Sequence, residues 1–346
     1  MKDLANWDLR GPVHTLRNES ARFDAGIGRW EEPWRFGVIK FRPDGMVEER
    51  EDHNPDGSVS KSKFVYDETG RLIEMHFQKE SEPVTKIVNY YDPTGHLLRT
   101  ASQGSDGSIR DREVYDYEAD GRKVKIHFVP PELINGDGGY SYGVEGSDVS
   151  FTARGATVIT TLYDIEGRPA EMLFHDPNHL LISKVTLSYD AKGRLARLEQ
   201  RAGEKPLFPA NRIPADERAA FNAAMAKWFG QDAVIFSVSH RYDDQGRCVE
   251  RSTMGLKGMM DSRTNYMYDE HGNRLQETEI RETGGLEIDA QGNRVEKPAG
   301  RRKSQVRYEY KYDENQNWTE RVVWTRQDSK CDFQRSDIER RAIAYY

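Results

Sequence analysis

The chain has 346 residues, of which 36% are apolar and 32% charged, with 51 Lys and Arg against 58 Asp and Glu. The net charge of -7 argues against general nucleic-acid binding, and no apolar run approaches the roughly 18 residues of a membrane span. The 17 Tyr, 13 Phe and 6 Trp argue against a disordered chain.

The N-terminal stretch, Met1 to Trp7, has no apolar segment typical of a secretory signal. Cys248 and Cys331 are too few for a disulfide framework, so reduced thiols are the simplest interpretation. We therefore expect a cytoplasmic protein, or one exported by a route without a cleaved signal peptide.

One pattern recurs along the chain about every 25 residues: an aromatic residue, Asp, two variable residues, Gly and often Arg. Asp accepts hydrogen bonds from the following backbone, and Gly supplies the positive φ of a bulged turn. The flanking segments alternate apolar and polar side chains, as strands do. The pattern predicts antiparallel hairpins at Tyr66, Tyr91, Tyr117, Tyr163, Tyr189, Tyr242, Tyr268 and Tyr312, with weaker copies at Phe41 and Ile288.

Tyr66 to Leu72 and Tyr189 to Leu195 both follow Tyr-Asp-x-x-Gly-Arg-Leu in full. This resembles the hallmark of the YD-repeat family, also called RHS repeats, over about residues 35–325. The resemblance implies a short bacterial member without a toxin domain. It also implies an all-β fold, a curved or closed antiparallel β-meander of about 20 strands built from YD repeats.

Three insertions interrupt the repeats, at residues 130–148, 203–232 and 281–303. Asp216 is a suitable N-cap, and Phe221, Ala224, Met225 and Trp228 have helical spacing. We expect one inserted helix at about 216–229, on an inner or an outer face of the sheet. No linker separates domains, so we predict a single domain spanning residues 1–346.

Three short motifs carry little catalytic signal. Ser141 lies in a Gly-x-Ser-x-Gly match, but the strand and helix of a nucleophile elbow are missing around it. His175 and His179 flank a turn and lack a third metal ligand. The acidic run Glu48–Asp52 does not single out a carboxylate pair. We predict no catalytic residue, metal or cofactor.

The repeat tyrosines are best explained as a packed aromatic ladder. Aromatic residues outside the motif are the better binding candidates: Tyr140, Tyr142, Trp30, Trp34, Trp318 and Trp324. The predicted function is a non-enzymatic binding or scaffold protein that holds a protein segment, with a role accessory to a bacterial toxin or secretion system implied by the resemblance. A glycan-binding protein and a hydrolase with its site in the insertions are the alternatives; the oligomeric state is left open.

Overall fold

The computed structural model describes residues 2–54, 56–80, 82–104, 106–118, 123–128, 140–143, 150–153, 156–204, 232–255, 260–283, 286–288, 294–296, 300–327 and 331–346. The helix predicted at 216–229 lies outside the described residues, as does most of the insertions at 130–148 and 203–232, so these stay predictions; the insertion at 281–303 is described in larger part. No helix in the described part is long and apolar enough to cross a membrane.

The described chain is all-β apart from one short helix. The elements are α1 (Lys2–Asn6), β1 (Val13–Asp24), β2 (Arg29–Trp30), β3 (Arg35–Phe41), β4 (Val47–His53), β5 (Val59–Tyr66), β6 (Leu72–Lys79), β7 (Thr85–Tyr91), β8 (Leu97–Gln103), β9 (Ile109–Tyr117), β10 (Lys123–Phe128), β11 (Tyr140–Gly143), β12 (Ser150–Ala153), β13 (Val158–Tyr163), β14 (Pro169–His175), β15 (Leu181–Tyr189), β16 (Leu195–Ala202), β17 (Val234–Tyr242), β18 (Cys248–Met254), β19 (Met260–Tyr268), β20 (Arg274–Thr283), β21 (Leu286–Ile288), β22 (Arg294–Glu296), β23 (Gly300–Tyr312), β24 (Trp318–Arg326) and β25 (Gln334–Tyr345).

Hydrogen bonds join 21 of these strands in one sheet, and each strand pairs antiparallel to its neighbours. The first strand of the sheet, β1, pairs with β3 on one side and with the last strand, β25, on the other. The strand order is therefore that of a closed 20-strand antiparallel barrel, with the two-residue β2 added to β1. The predicted all-β antiparallel meander is confirmed, and its first and last strands close it.

The chain divides into two compact units. The first comprises residues 1–111, 267–277 and 304–346, and the second comprises residues 112–266 and 278–303. The prediction of a single domain is not tested by this division and stays a prediction.

In the second unit, alternation along the strands separates an apolar face from a charged face. The apolar face forms a buried core of Val124, Ile126, Ile159, Met172, Phe174, Val185, Leu187, Leu198 and Val238. The opposite face carries polar and charged side chains, among them Lys125, Glu171, Lys184, Arg197 and Arg241. Burying an aliphatic or aromatic side chain contributes about 1.5–3 kcal/mol, so this core holds the unit together.

In the first unit, α1 and the residues after it cover part of the sheet. Leu4 and Leu9 pack with Leu16 of β1 and with Ile39 and Phe41 of β3 in a second buried cluster. The same strands place charged residues at alternate positions, and these form the other face.

The repeated turns have the geometry that the sequence predicts. At the turn after β5, the Asp67 Oδ1 accepts hydrogen bonds from the backbone N–H of Thr69 and Arg71, both at 2.9 Å. Gly70 has a φ of +82°, and the strand pairing shifts by one residue at Val65/Tyr66. These are the bulged hairpin corners expected from Asp-x-x-Gly.

In four of the described corners an arginine follows the glycine, and it can brace the next corner along the chain. At Asp190, the Arg194 Nε donates to the carboxylate at 2.7 Å, and its guanidinium lies 4.5 Å from the centre of the Tyr242 ring. The Tyr242 hydroxyl in turn donates to the Leu195 carbonyl at 2.9 Å. We call these the arginine corners; the same Arg–Asp bond forms in the corners at Asp67, Asp164 and Asp243.

Two later corners have asparagine in place of this arginine, and we call them the asparagine corners. At the first, the Tyr312 hydroxyl donates to the Asp269 carboxylate, and the Asn273 Nδ2 donates to the Tyr312 hydroxyl at 2.9 Å. Burial and the hydrogen bond to Asp269 raise the pKa of the Tyr312 hydroxyl.

At the second asparagine corner, Asn317 is 1% exposed and its Nδ2 donates to the Tyr345 hydroxyl at 2.7 Å. Its amide also exchanges two hydrogen bonds with the Arg10 backbone, at 2.7 and 2.9 Å. Gln316 occupies the position that glycine takes elsewhere, with a φ of 61°. This corner therefore ties the beginning of the chain to its end.

Candidate functional site

A cavity of about 480 Å³ lies on the charged face of the first unit. Strands β3, β4, β5 and β6 form its floor, and Val84, which precedes β7, lies at its side. Its concave shape and the convergence of several charged side chains make it the candidate site of this region.

Register explains which side chains meet in this cavity. One row across the four strands is Lys40, Glu49, Lys63 and His76, each opposite the next. A second row, two residues away on each strand, is Val38, Glu51, Lys61 and Gln78. Side chains two apart on a strand share a face, so both rows line the same surface.

Most of the charges in these two rows are already paired. The Lys40 Nζ lies 2.8 Å from the Glu49 carboxylate, and the Lys61 Nζ lies 3.0 Å from that of Glu51. Lys63 differs from both, because it forms no hydrogen bond or ion pair with any residue that the structure describes. Lys63 is therefore the ammonium group of the cavity that is left for a ligand.

The two carboxylates are held in their charged form. The hydrogen bond from Lys40 lowers the pKa of Glu49, and hydrogen bonds from Lys61 and His53 lower the pKa of Glu51. The bond to Glu49 also raises the pKa of Lys40. Neither glutamate is thus a proton donor near neutral pH. Three lysines and Arg50 line the cavity with the two glutamates, and Arg50 is paired with Asp52, which is not part of the lining.

Two aliphatic side chains also line the cavity, as do Ser62 and Phe77. Val38 stands in the second row, and Val84 is 40% exposed at the edge of the cavity. A ligand that joins a negative group to an apolar body would contact both parts of this surface. No group of His, Cys, Asp and Glu suited to a metal ion occurs within the described ranges.

The four tryptophans predicted as binding residues lie elsewhere, and none of them lines this cavity. Trp30 packs edge-on against Phe23 at 5.0 Å, and Trp34 is 36% exposed with the Arg22 guanidinium 5.3 Å from its ring. Their binding role is not tested and stays a prediction.

The other two tryptophans belong to β24 and contact arginines. Trp318 is 4% exposed, with the Arg341 guanidinium 3.5 Å from the centre of its ring. Trp324 has the Arg335 guanidinium at 4.9 Å. Trp324 is half-buried, and a role in binding stays a prediction for both rings.

Tyr140 and Tyr142 lie in β11, which pairs with β12 in a separate two-stranded sheet. Their side chains, like that of Ser141, are outside the described part, so their predicted roles are untested. The turn predicted at His175 and His179 is present: Asp176 accepts hydrogen bonds from the backbone of Asn178 and Leu180 at 2.8 and 3.0 Å.

None of the residues that line the cavity is among the binding residues predicted from the sequence. The acidic run Glu48–Asp52 is noted in the sequence only as a charge run, and Lys61 and Lys63 are not singled out. Alternation of glutamate in β4 and of lysine in β5 is the signal that could have identified them, since antiparallel neighbours with opposite charges pair.

No model of a known protein family matches the chain, and no curated protein matches it. Among solved structures, a porin-like protein from Bacteroides uniformis is similar, with 8% identity, coverage of 97% of this chain and 98% of that chain, and a TM-score of 0.33. The TcdB2–TccC3–Cdc42 complex is also similar, with 12% identity, coverage of 91% of this chain and 18% of that chain, and a TM-score of 0.26.

These comparisons correct three predictions. Membership of the YD-repeat family is wrong, as are the binding or scaffold function with its glycan and hydrolase alternatives, and the cytoplasmic location. No family model matches, and one of the similar solved structures, a porin-like protein, covers nearly all of both chains. Asp-x-x-Gly is the chemistry of any bulged hairpin, so its recurrence indicates hairpins and not ancestry.

The predicted function depends on membership of that family, and the predicted location depends on the lack of an apolar N-terminal segment. Both predictions are therefore withdrawn. The TM-scores are too low to supply a function in their place. The predicted partners, a protein segment or a glycan and no nucleic acid, are untested by any contact and stay predictions.

Proposed function

We propose that the protein binds a small organic anion in the cavity over β3, β4, β5 and β6. The observation that carries the proposal is Lys63, which lines the cavity and forms no hydrogen bond or ion pair with a described residue, although its charge acts on the neighbouring Glu49. The other two lysines of the cavity are each paired with a glutamate. The Lys40 Nζ lies 2.8 Å from the Glu49 carboxylate, and the Lys61 Nζ lies 3.0 Å from the Glu51 carboxylate.

The size and lining of the cavity fit this class of ligand. A volume of about 480 Å³ falls within the range of small-molecule sites. The negative group of the ligand accepts a hydrogen bond from Lys63, and its apolar part contacts Val38 and Val84. A charge-assisted hydrogen bond of this kind is stronger than a neutral one, which favours a carboxylate over an amide of the same shape.

Isothermal titration calorimetry with benzoate and hexanoate tests the proposal, with benzamide as the neutral control. Lys63→Met keeps the length of the side chain and removes its charge. We expect it to weaken binding of the acids by about tenfold or more, since hydrogen bonds to charged groups contribute about 1.5–3 kcal/mol. Lys192→Met, in an exposed turn of the second unit, is the matched control and should leave binding unchanged.

A second variant should act in the opposite direction. Glu49→Gln releases Lys40 from its ion pair, so two ammonium groups face the ligand and acids should bind several-fold more tightly. The proposal fails if neither acid binds the wild-type protein, if benzamide binds as well as benzoate, or if Lys63→Met and Lys192→Met behave alike.

A further inference from the structure

A second cavity, of about 320 Å³, lies on the charged face of the second unit. Strands β17, β18 and β19 form its floor, and Glu282 of β20 and Arg301 of β23 lie at its side. Its lining has a different chemistry from the lysine-rich cavity of the first unit.

The floor of this cavity is made of short hydroxyl side chains. Ser239 of β17 lies opposite Ser252 of β18, which lies opposite Arg263 of β19. In the next row of the same face, Ser237 lies opposite Met254, and Met254 lies opposite Asp261. The side chains around the three serines are longer than the serines themselves, so the surface forms a depression at the serines.

The three serine hydroxyls have no hydrogen-bond partner in the described part of the chain, although Ser237 is only 6% exposed. A hydroxyl can both donate and accept, so the floor can bind either end of a polar molecule. Ser252 is half-buried and Ser239 is exposed, so Ser237 is the buried hydroxyl of the three. Buried polar groups are normally paired, and a buried hydroxyl on a cavity without a described partner indicates that water or a ligand completes it.

The charged residues at the walls balance. Asp261 and Glu282 are negative, and Arg263 and Arg301 are positive, so the lining has no net charge. Arg301 lies 3.6 Å from Glu282, and Arg263 lies 3.1 Å from Glu250, which is outside the cavity. Asp261 forms no ion pair with any described residue, which leaves its carboxylate available.

We propose that this cavity binds the zwitterion of a free α-amino acid. The ammonium group lies at Asp261, and the carboxylate lies at Arg301 and the serine hydroxyls. An ion of a single sign would bring an unbalanced charge to a lining that has none, whereas a zwitterion places each of its charges against an opposite one. This site is independent of the proposed anion site, because it shares no residue with it.

Calorimetry with L-alanine, propionate and ethylamine tests the proposal on the full chain. Propionate and ethylamine each keep one of the two charges of alanine, so alanine should bind and the other two should bind at least about tenfold more weakly. Glycine and L-serine extend the test to other zwitterions without a large side chain.

Asp261→Asn should weaken alanine binding by about tenfold, as expected for loss of a charge-assisted hydrogen bond. Asp244→Asn, in a turn of the same unit, makes the same change of charge away from the cavity and should have no effect. Ser252→Leu fills the floor and should abolish binding, with circular dichroism used to check that the sheet is retained.

Three results would overturn the proposal: no binding of any of the three amino acids, equal binding of propionate and alanine, or equal effects of Asp261→Asn and Asp244→Asn. Benzoate binding that persists in Ser252→Leu supports the independence of the two sites, and its loss in this variant would contradict it.

Discussion

The arginine corners and the asparagine corners share one backbone turn but stabilise it in different ways. In both, the aspartate accepts backbone hydrogen bonds from residues two and four positions later. At Asp190, a guanidinium binds the carboxylate and covers a tyrosine ring whose hydroxyl donates to a backbone carbonyl. At Asp313, the tyrosine hydroxyl donates to the carboxylate itself.

The difference shows that the turn depends on the aspartate and not on its charged partner. Where asparagine replaces arginine, the carboxylate gains the tyrosine as its donor, and the asparagine amide donates to that tyrosine. The hydroxyl of an asparagine corner therefore has a charged acceptor, while that of an arginine corner has a neutral one. Substitutions that remove one hydrogen-bonding group should therefore change the free energy of unfolding by different amounts in the two types of corner.

The largest effect is expected for Asn317→Ala. The change removes both hydrogen bonds between the Asn317 amide and the Arg10 backbone, and also the donor to the Tyr345 hydroxyl. A typical hydrogen bond contributes about 1 kcal/mol, so loss of these bonds should lower the free energy of unfolding in urea by about 3 kcal/mol. Asn178→Ala, at an exposed turn position, should change it little; equal losses in the two variants would contradict the role of the asparagine corner.

An intermediate effect is expected for Tyr312→Phe, compared with Tyr189→Phe. The first removes a hydrogen bond to the Asp269 carboxylate, and the second removes one to the Pro169 carbonyl at 2.7 Å. Hydrogen bonds to charged groups contribute about 1.5–3 kcal/mol and neutral ones about 1 kcal/mol. The unfolding free energy should therefore fall about twice as far for Tyr312→Phe, and the reverse order would show that the charged acceptor is not what distinguishes the corners.

The smallest effect is expected for Gln316→Gly, and it has the opposite sign. Gln316 has a φ of 61°, a conformation that is unfavourable for residues with a Cβ. Glycine should raise stability by about 0.5–1 kcal/mol, partly offset by its greater freedom in the unfolded chain. Thermal unfolding measures the change, and Gly193→Ala, at a φ of +78°, should lower the melting temperature. A lower melting temperature for Gln316→Gly would mean that the glutamine side chain is needed at this corner.

The corners could be predicted from the sequence because each depends on neighbours in the chain. Asp67, Gly70 and Arg71 meet within five residues, and their hydrogen bonds follow from that spacing. The brace between corners needs a tyrosine about 20 residues further on, as in the bond from Tyr91 to Leu72. The tyrosine recurs regularly, so its position could be recognised from the sequence. The carbonyl that its hydroxyl binds could not be recognised in this way.

The two cavities could not be predicted in the same way, because each depends on register across several strands. Lys63 is left without a partner only because Glu49, which lies between Lys40 and Lys63, pairs with Lys40. Similarly, the serine floor requires Ser239 and Ser252 to be opposite each other, which depends on the bulge at the intervening hairpin. A shift of one residue would move either set to the other face.

The pairing of β1 with β25 has a consequence for how the chain is made. Leu16 lies opposite Ile343, so the two paired strands are far apart in sequence. During synthesis, β1 can pair with β3 soon after both leave the ribosome, but its other edge has no partner until β25 emerges. Exposed strand edges favour association between chains, so this edge is the segment most in need of protection while translation is under way.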